Sequence, residues 1–288
     1  MTLNVAGKLI DFTTPKVMGI INVTPDSFFA DSRTIDPSIK DTSSFLLHRA
    51  ESMIGQGAFI LDIGACSTRP GSTPVSAEEE LRRLDFALTT LAPLRERHPE
   101  LLISIDTFRS DVARHCAIKY GIHIINDISA GQLDPAMFTT VADLHLPYVL
   151  THYPQFSSSE PGVFSAESPI LPSVARFFAE KLNSLYSFGI VDVILDPGFG
   201  FGKTLEQNYA LLHHLGDLIR LFPSNTFLVG VSRKSMIYRL LGITPEEALN
   251  GTTVLNTIAL QTGAHILRVH DVQPAMEAIK LCRSTLND

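Results

Sequence analysis

Along the chain, short runs of consecutive apolar residues that end on a polar group alternate with longer stretches whose apolar positions recur every three or four residues. The short runs predict buried strands and the longer ones amphipathic helices. Strands are expected over 17–22, 59–63, 101–107, 122–127, 147–152, 193–196, 225–231 and 264–271. Helices are expected over 43–56, from a capping box at Ser76 and Glu79, over 109–120 with Gly121 as cap, and over 135–144, 173–188 and 204–221. A second capping box, Thr244 with Glu247, predicts the next helix, and 273–284 the last. No two of these strands are joined by a hairpin turn, so each returns through a crossover and pairs in parallel. Eight such units predict an α/β fold over 1–288, a single (β/α)8 TIM barrel with its active site at the C-terminal ends of the strands.

Composition narrows the class. A chain of 288 residues, 45% hydrophobic, suits one large barrel, and a net charge of −7 without a Lys/Arg cluster argues against a nucleic-acid partner. Cys66, Cys116 and Cys282 are odd in number and far apart, which suggests neither a disulfide framework nor a zinc site and fits cytoplasmic usage. No run approaches the ~18 apolar residues of a membrane span. The stretch 153–172, with Ser157, Ser158 and Ser159 and several prolines, reads as a long excursion from the barrel.

The candidate chemistry lies at the strand ends. Asn22, Asp106, Asn126, Asp196, Arg268 and His270 each end or just follow a predicted strand. One such residue is ordinarily a helix or turn cap, but their recurrence points to the barrel's functional rim. Asp62 and Asp127, each beside a stronger candidate, are read as ordinary caps. His152 is a weaker candidate than His270, and His213 and His214 are read as partly exposed helix residues. The turn from Asp196 to Thr204 carries Gly198, Gly200, Gly202 and Lys203, yet a Walker loop would need glycine where Pro197 stands. The dinucleotide fingerprint lacks its third glycine as well. Thr68 and Arg69 in one loop, and Ser232-Arg233-Lys234-Ser235 in another, offer cations and hydroxyls for an anionic ligand.

Seven segments, in order, resemble the dihydropteroate synthases: 18–28, Ser67-Thr68-Arg69-Pro70-Gly71, Ser104-Ile105-Asp106-Thr107, Ile125-Asn126-Asp127-Ile128, 196–204, Ser232-Arg233-Lys234-Ser235 and Arg268-Val269-His270-Asp271-Val272. The resemblance runs from about Val17 to the C-terminus. It implies an enzyme of folate biosynthesis, a cytoplasmic homodimer and sulfonamide target, in which p-aminobenzoate displaces diphosphate from (7,8-dihydropterin-6-yl)methyl diphosphate to give 7,8-dihydropteroate. It further implies that Asp106, Asp196, Lys234 and Arg69 are catalytic, and that Asp106, Asn126, Asp196 and Lys234 meet the pterin. The diphosphate falls to Thr68, Arg69, Arg268 and His270, with Mg2+ on Asn22. Phe28, Arg69, Pro70, Phe201, Lys234 and Ser235 match the aminobenzoate pocket. The chain departs from the family's usual pattern at Cys66, where glutamate is common, at Phe29-Ala30-Asp31-Ser32-Arg33, where glycines are usual, and at Thr151-His152-Tyr153, where Met-His-Met is common. A methyltetrahydrofolate-type methyltransferase domain and a non-catalytic pterin-binding paralogue are the alternatives, and the cations of 232–234 with Arg268 and His270 weigh against the first.

Overall fold

Side chains along a strand alternate between faces, and this period of two determines what fills the centre of the molecule. The computed structural model describes residues 1–23, 42–66, 75–154 and 169–285. Its barrel strands are β3 (Lys16–Asn22), β4 (Ile60–Gly64), β5 (Leu102–Asp106), β6 (Ile124–Asp127), β7 (Tyr148–Thr151), β8 (Val193–Asp196), β9 (Thr226–Val229) and β10 (Ile266–Val269). They form a closed barrel in the order β10-β3-β4-β5-β6-β7-β8-β9, with every pair parallel. Met18, Ile60, Leu102, Ile124, Val149, Ile194, Leu228 and Ile266, one from each strand, make a buried apolar layer. Two residues further along the same faces stand Asp62, Ser104, Asn126, Thr151, Asp196 and Arg268. The interior therefore turns from apolar to polar toward the C-terminal ends.

The apolar end is sealed by an element that the sequence reading left unassigned. β1 (Thr2–Val5) and β2 (Lys8–Asp11) form an antiparallel hairpin. Its two-residue turn, Ala6 at φ 50 and Gly7 at φ 82, has the left-handed geometry that tight hairpins require. Leu3, Val5 and Phe12 pack onto the apolar layer. Asn4 N–H donates to Asp192 Oδ1 at 2.7 Å just ahead of β8, which ties the hairpin to the barrel.

A second core lies outside the strands, between the sheet and its helices. α1 (Thr42–Gly55), α2 (Ala77–Arg97), α3 (Ser110–Tyr120), α4 (Met137–Leu144) and α5 (Ile170–Ser187) follow the sequence reading closely. Ser76 caps α2 by accepting from Glu79 N–H, and Gly121 closes α3 at φ 59. The excursion ends earlier than expected, because α5 starts at Ile170 and places Pro172 in its first turn, where no intrahelical N–H is required. Residues 155–168 lie outside the described residues.

Two helix expectations are corrected. The single helix over 204–221 is two, α6 (Leu205–His213) and α7 (Leu215–Leu221), because His214 leaves helical geometry at ψ 11. Leu212 and Leu215 on either side are both buried, so the apolar spacing runs through the break without marking it. At Thr244, Glu247 Oε2 accepts from the Thr244 N–H as a capping box would, but no helix follows directly. Arg233 draws the carbonyls of Pro245 and Glu246 to its guanidinium, holding them in turns. The helix α9 runs Leu249–Gln261, preceded by α8 (Ser235–Leu241), which the sequence reading did not anticipate, and the chain closes with α10 (Val272–Thr285).

Candidate active site

Three carboxylates, an amide and two cations from six places in the chain meet in the polar end of the barrel. Asp62 is fully buried there, and its Oδ2 accepts from Arg268 Nε at 2.7 Å and from Asn126 Nδ2 at 2.9 Å. Arg268 Nη2 also donates to Asp106 Oδ2 at 2.7 Å. Burial opposes the Arg268 charge, but Asp62 and Asp106 more than reverse this, so the guanidinium stays protonated. Asp106 is pushed up to about 7, first by burial and then by Asp62, Glu80 and Asp127, with Arg268 opposing. Asp62 was read from sequence as an ordinary cap; it is instead the hub of this network. The missed signal was its place in the strand, since it shares the inward face with Ile60. Asp127, one residue beyond inward-facing Asn126, does act as a cap, accepting from Ser129 N–H, Gly131 N–H and the Tyr148 hydroxyl.

The opposite wall is the glycine turn after β8. Asp196 ends the strand and accepts from Gly198 N–H at 2.8 Å. Burial raises its pKa, and Lys234 opposes the rise. Gly198 sits at φ +68, and a Cβ there would lie 2.1 Å from the His152 carbonyl oxygen. Gly198→Ala is therefore expected to cost roughly 3 kcal/mol from left-handed strain plus overpacking, read as a lower denaturation midpoint. Lys203 donates to the carbonyls of His152, Gly198 and Phe201 at 3.2, 2.7 and 3.2 Å, so its amino group serves the turn.

Lys234 enters from the turn before α8, and its Nζ donates to the Phe199 carbonyl and stands 4.4 Å from the centroid of the Phe201 ring. Burial lowers its pKa to about 8, with Asp196 opposing. Gly230 lies beside it: a Cβ there would make ordinary contact, 3.9 Å from Lys234 Nζ and 3.8 Å from Arg268 Cβ. Arg233 points elsewhere, pairing with Asp271 at 2.8 and 3.0 Å. The expectation of two cations at this turn thus reduces to one facing the site. Ser235 opens α8 beside Lys234.

Asn22 ends β3 at the same rim, where a Cβ on Gly64 would lie 3.7 Å from its Oδ1 and 3.6 Å from Asp106 Oδ2. His270 follows β10, its N–H donating to Ser232 Oγ at 3.2 Å, and it lines a crevice with His48 and Arg49 of α1. Tyr153 packs on Phe201 with centroids 5.2 Å apart. The Cys66 thiol is raised by burial and by Glu80, and all three cysteines are free. Phe28, Thr68, Arg69 and Pro70 lie outside the described residues. Among the described residues, no cluster of three or more His, Cys, Asp or Glu side chains could hold a metal, and no helix is long and apolar enough to cross a membrane.

A parallel barrel whose rim collects this set is matched over residues 18–270 by the family described as pterin binding enzyme, and the chain belongs to that family. Dihydropteroate synthase of Escherichia coli strain K12 is 39% identical, over 100% of this chain and 97% of its own. Within the family, the chain therefore stands among the dihydropteroate synthases of folate biosynthesis. Solved structures agree. The Xanthomonas albilineans dihydropteroate synthase with 4-aminobenzoic acid superposes with a TM-score of 0.86 at 36% identity, covering 100% of this chain and 98% of that one. The Coxiella burnetii enzyme in complex with pteroic acid gives 0.84 at 37%, covering 100% and 99%.

Proposed function

We propose that this chain, folded as one barrel domain, joins p-aminobenzoate to (7,8-dihydropterin-6-yl)methyl diphosphate through the groups gathered at its rim. The observation that carries the assignment of roles is the convergence of Asp106, Asn126, Asp196, Lys234 and Arg268 on one chamber. A pterin presents a flat edge of alternating donors and acceptors, and buried amide, carboxylate and ammonium groups match such an edge while rejecting rings that lack it. Asn126, Asp196 and Lys234 would meet that edge. Arg268 and His270, with Thr68 and Arg69 of the neighbouring loop, would hold the diphosphate.

Departure of diphosphate leaves positive charge on the pterin methylene. Asp106 and Asp196 then act as fixed negative charge where that charge develops, and the cations hold the leaving group. Phe201 and Ser235, with Phe28 and Pro70, would seat the aminobenzoate, whose amine attacks the methylene carbon. Asn22 suits magnesium: its amide oxygen is a hard donor, and the missing Cβ of Gly64 leaves room beside it. The ion would be held by Asn22 and the diphosphate oxygens, and would neutralise part of the diphosphate charge.

The subunits are proposed to pair as homodimers. Leu240, Leu241, Leu249, Val254 and Ile258 expose an apolar face along α8 and α9 that a second copy would cover. The free thiols suit the reducing cytoplasm. Mixing the protein with the pterin diphosphate, magnesium and p-aminobenzoate tests the reaction. Amine-dependent release of diphosphate is expected. Pterin binding without release would mark a non-catalytic paralogue, and binding indifferent to the diphosphate a methyltransferase domain.

A further inference from the structure

We propose that Asp62 is the positioning residue of the pterin site: it holds Arg268 and Asn126 in the directions from which they meet the substrate, without touching the substrate itself. The topology makes such a residue necessary. β4 is two strands from β10 on one side and two from β6 on the other, so no backbone ladder links Asp62 to either partner. Its one oxygen, Oδ2, nonetheless takes Arg268 Nε at 2.7 Å and Asn126 Nδ2 at 2.9 Å, and lies 2.6 Å from Arg268 Nη2. Each contact reaches across an intervening strand.

Arg268 has a long side chain with several rotamers, and its planar fork binds well only when its direction is fixed. Asp106 alone meets one end of that fork, so the guanidinium could pivot about it; Asp62 on Nε removes the pivot. Asn126 carries an amide whose two ends differ in hydrogen-bonding sense. Donating Nδ2 to Asp62 settles which end faces the chamber. A fully buried carboxylate is expensive, and well-packed apolar groups in its place are often no less stable. Its second oxygen, Oδ1, has no hydrogen-bond partner among the described residues, which is not how a group kept for stability alone would be satisfied.

The proposal rests on the pterin reading of the site, and its test keeps the two apart. Asp62→Asn keeps the shape and removes the charge. Its affinity for the pterin diphosphate, measured by calorimetry, is expected to fall roughly 10- to 100-fold, as loss of an outer partner does at other sites, while the KM for p-aminobenzoate changes by less than about threefold. Adding Asp62→Asn to Arg268→Lys should cost less than adding it to the unsubstituted enzyme, because the share of its effect that runs through Arg268 is already lost and only the Asn126 share remains. Unchanged pterin affinity, full additivity, or an equal loss for both substrates tracking the melting temperature would overturn the proposal. Should Asp62→Asn fail to fold, Asp62→Glu decides: it keeps the charge but displaces the oxygen, so weakened pterin binding supports the role and full affinity removes it. Calorimetry is independent of turnover, so an unsubstituted enzyme that releases no diphosphate counts against the synthase reading while the affinities still decide the role of Asp62.

Discussion

Lys234→Ala is expected to lower kcat/KM by about 100- to 1000-fold while the barrel still folds, since removing a single preorganised donor in a desolvated site costs two to three orders of magnitude. Its ammonium is set by the Phe199 carbonyl and the Phe201 ring and faces Asp196 across the chamber. Alanine therefore removes the donor proposed for the pterin and the charge that balances Asp196. Asp196 is already raised by burial, so without Lys234 it can take up a proton rather than stay as a lone buried anion. That relief is why the fold should survive. Diphosphate release and a thermal melt followed by circular dichroism check the two halves of this expectation, and near-normal release would remove Lys234 from the mechanism.

Asp106→Ala should cost about 100- to 1000-fold in kcat, by losing fixed negative charge beside the developing cation. Arg268 would keep Asp62, so the site should hold its shape. The pH dependence gives an independent reading. Burial holds Asp106 at about 7, so the catalytically useful anion forms as pH rises through that value. Burial holds Lys234 at about 8, so its proton is lost as pH rises further. The kcat/KM profile is expected to be a narrow bell between these limbs, whose apparent values belong to the coupled cluster. Stability has the opposite acid dependence. Because the folded carboxyl binds its proton more tightly than its ordinary value of 3.8, its contribution is full below that value and is lost as pH rises through about 7. In Asp106→Ala this part of the stability slope should flatten, which denaturation midpoints between pH 4 and 7 would measure.

How much of this was legible beforehand depended on whether a residue's role follows from chain-local pattern. All eight barrel strands could be read because each is a short apolar run between helical stretches, most of them stopping on a polar group, and β8 was located to the residue. The hairpin at the N-terminus was missed because four-residue strands with an Ala-Gly turn carry little periodic signal. Asp196, Asn126 and Lys234 were nominated by position and by family motifs, and the structure brings them to one chamber. Asp62 reads as a cap beside stronger candidates, and its spacing from Ile60 takes on meaning only once the closed barrel shows that Ile60 faces inward. Arg233 was overvalued for the same reason: its bidentate bond to Asp271 spans 38 residues of sequence.

The apolar layer, with the hairpin packed beneath it, closes one end of the barrel, so the gathered polar groups are reached from the C-terminal ends of the strands. On the proposed reading, both substrates would then arrive, and the joined product leave, through that same end.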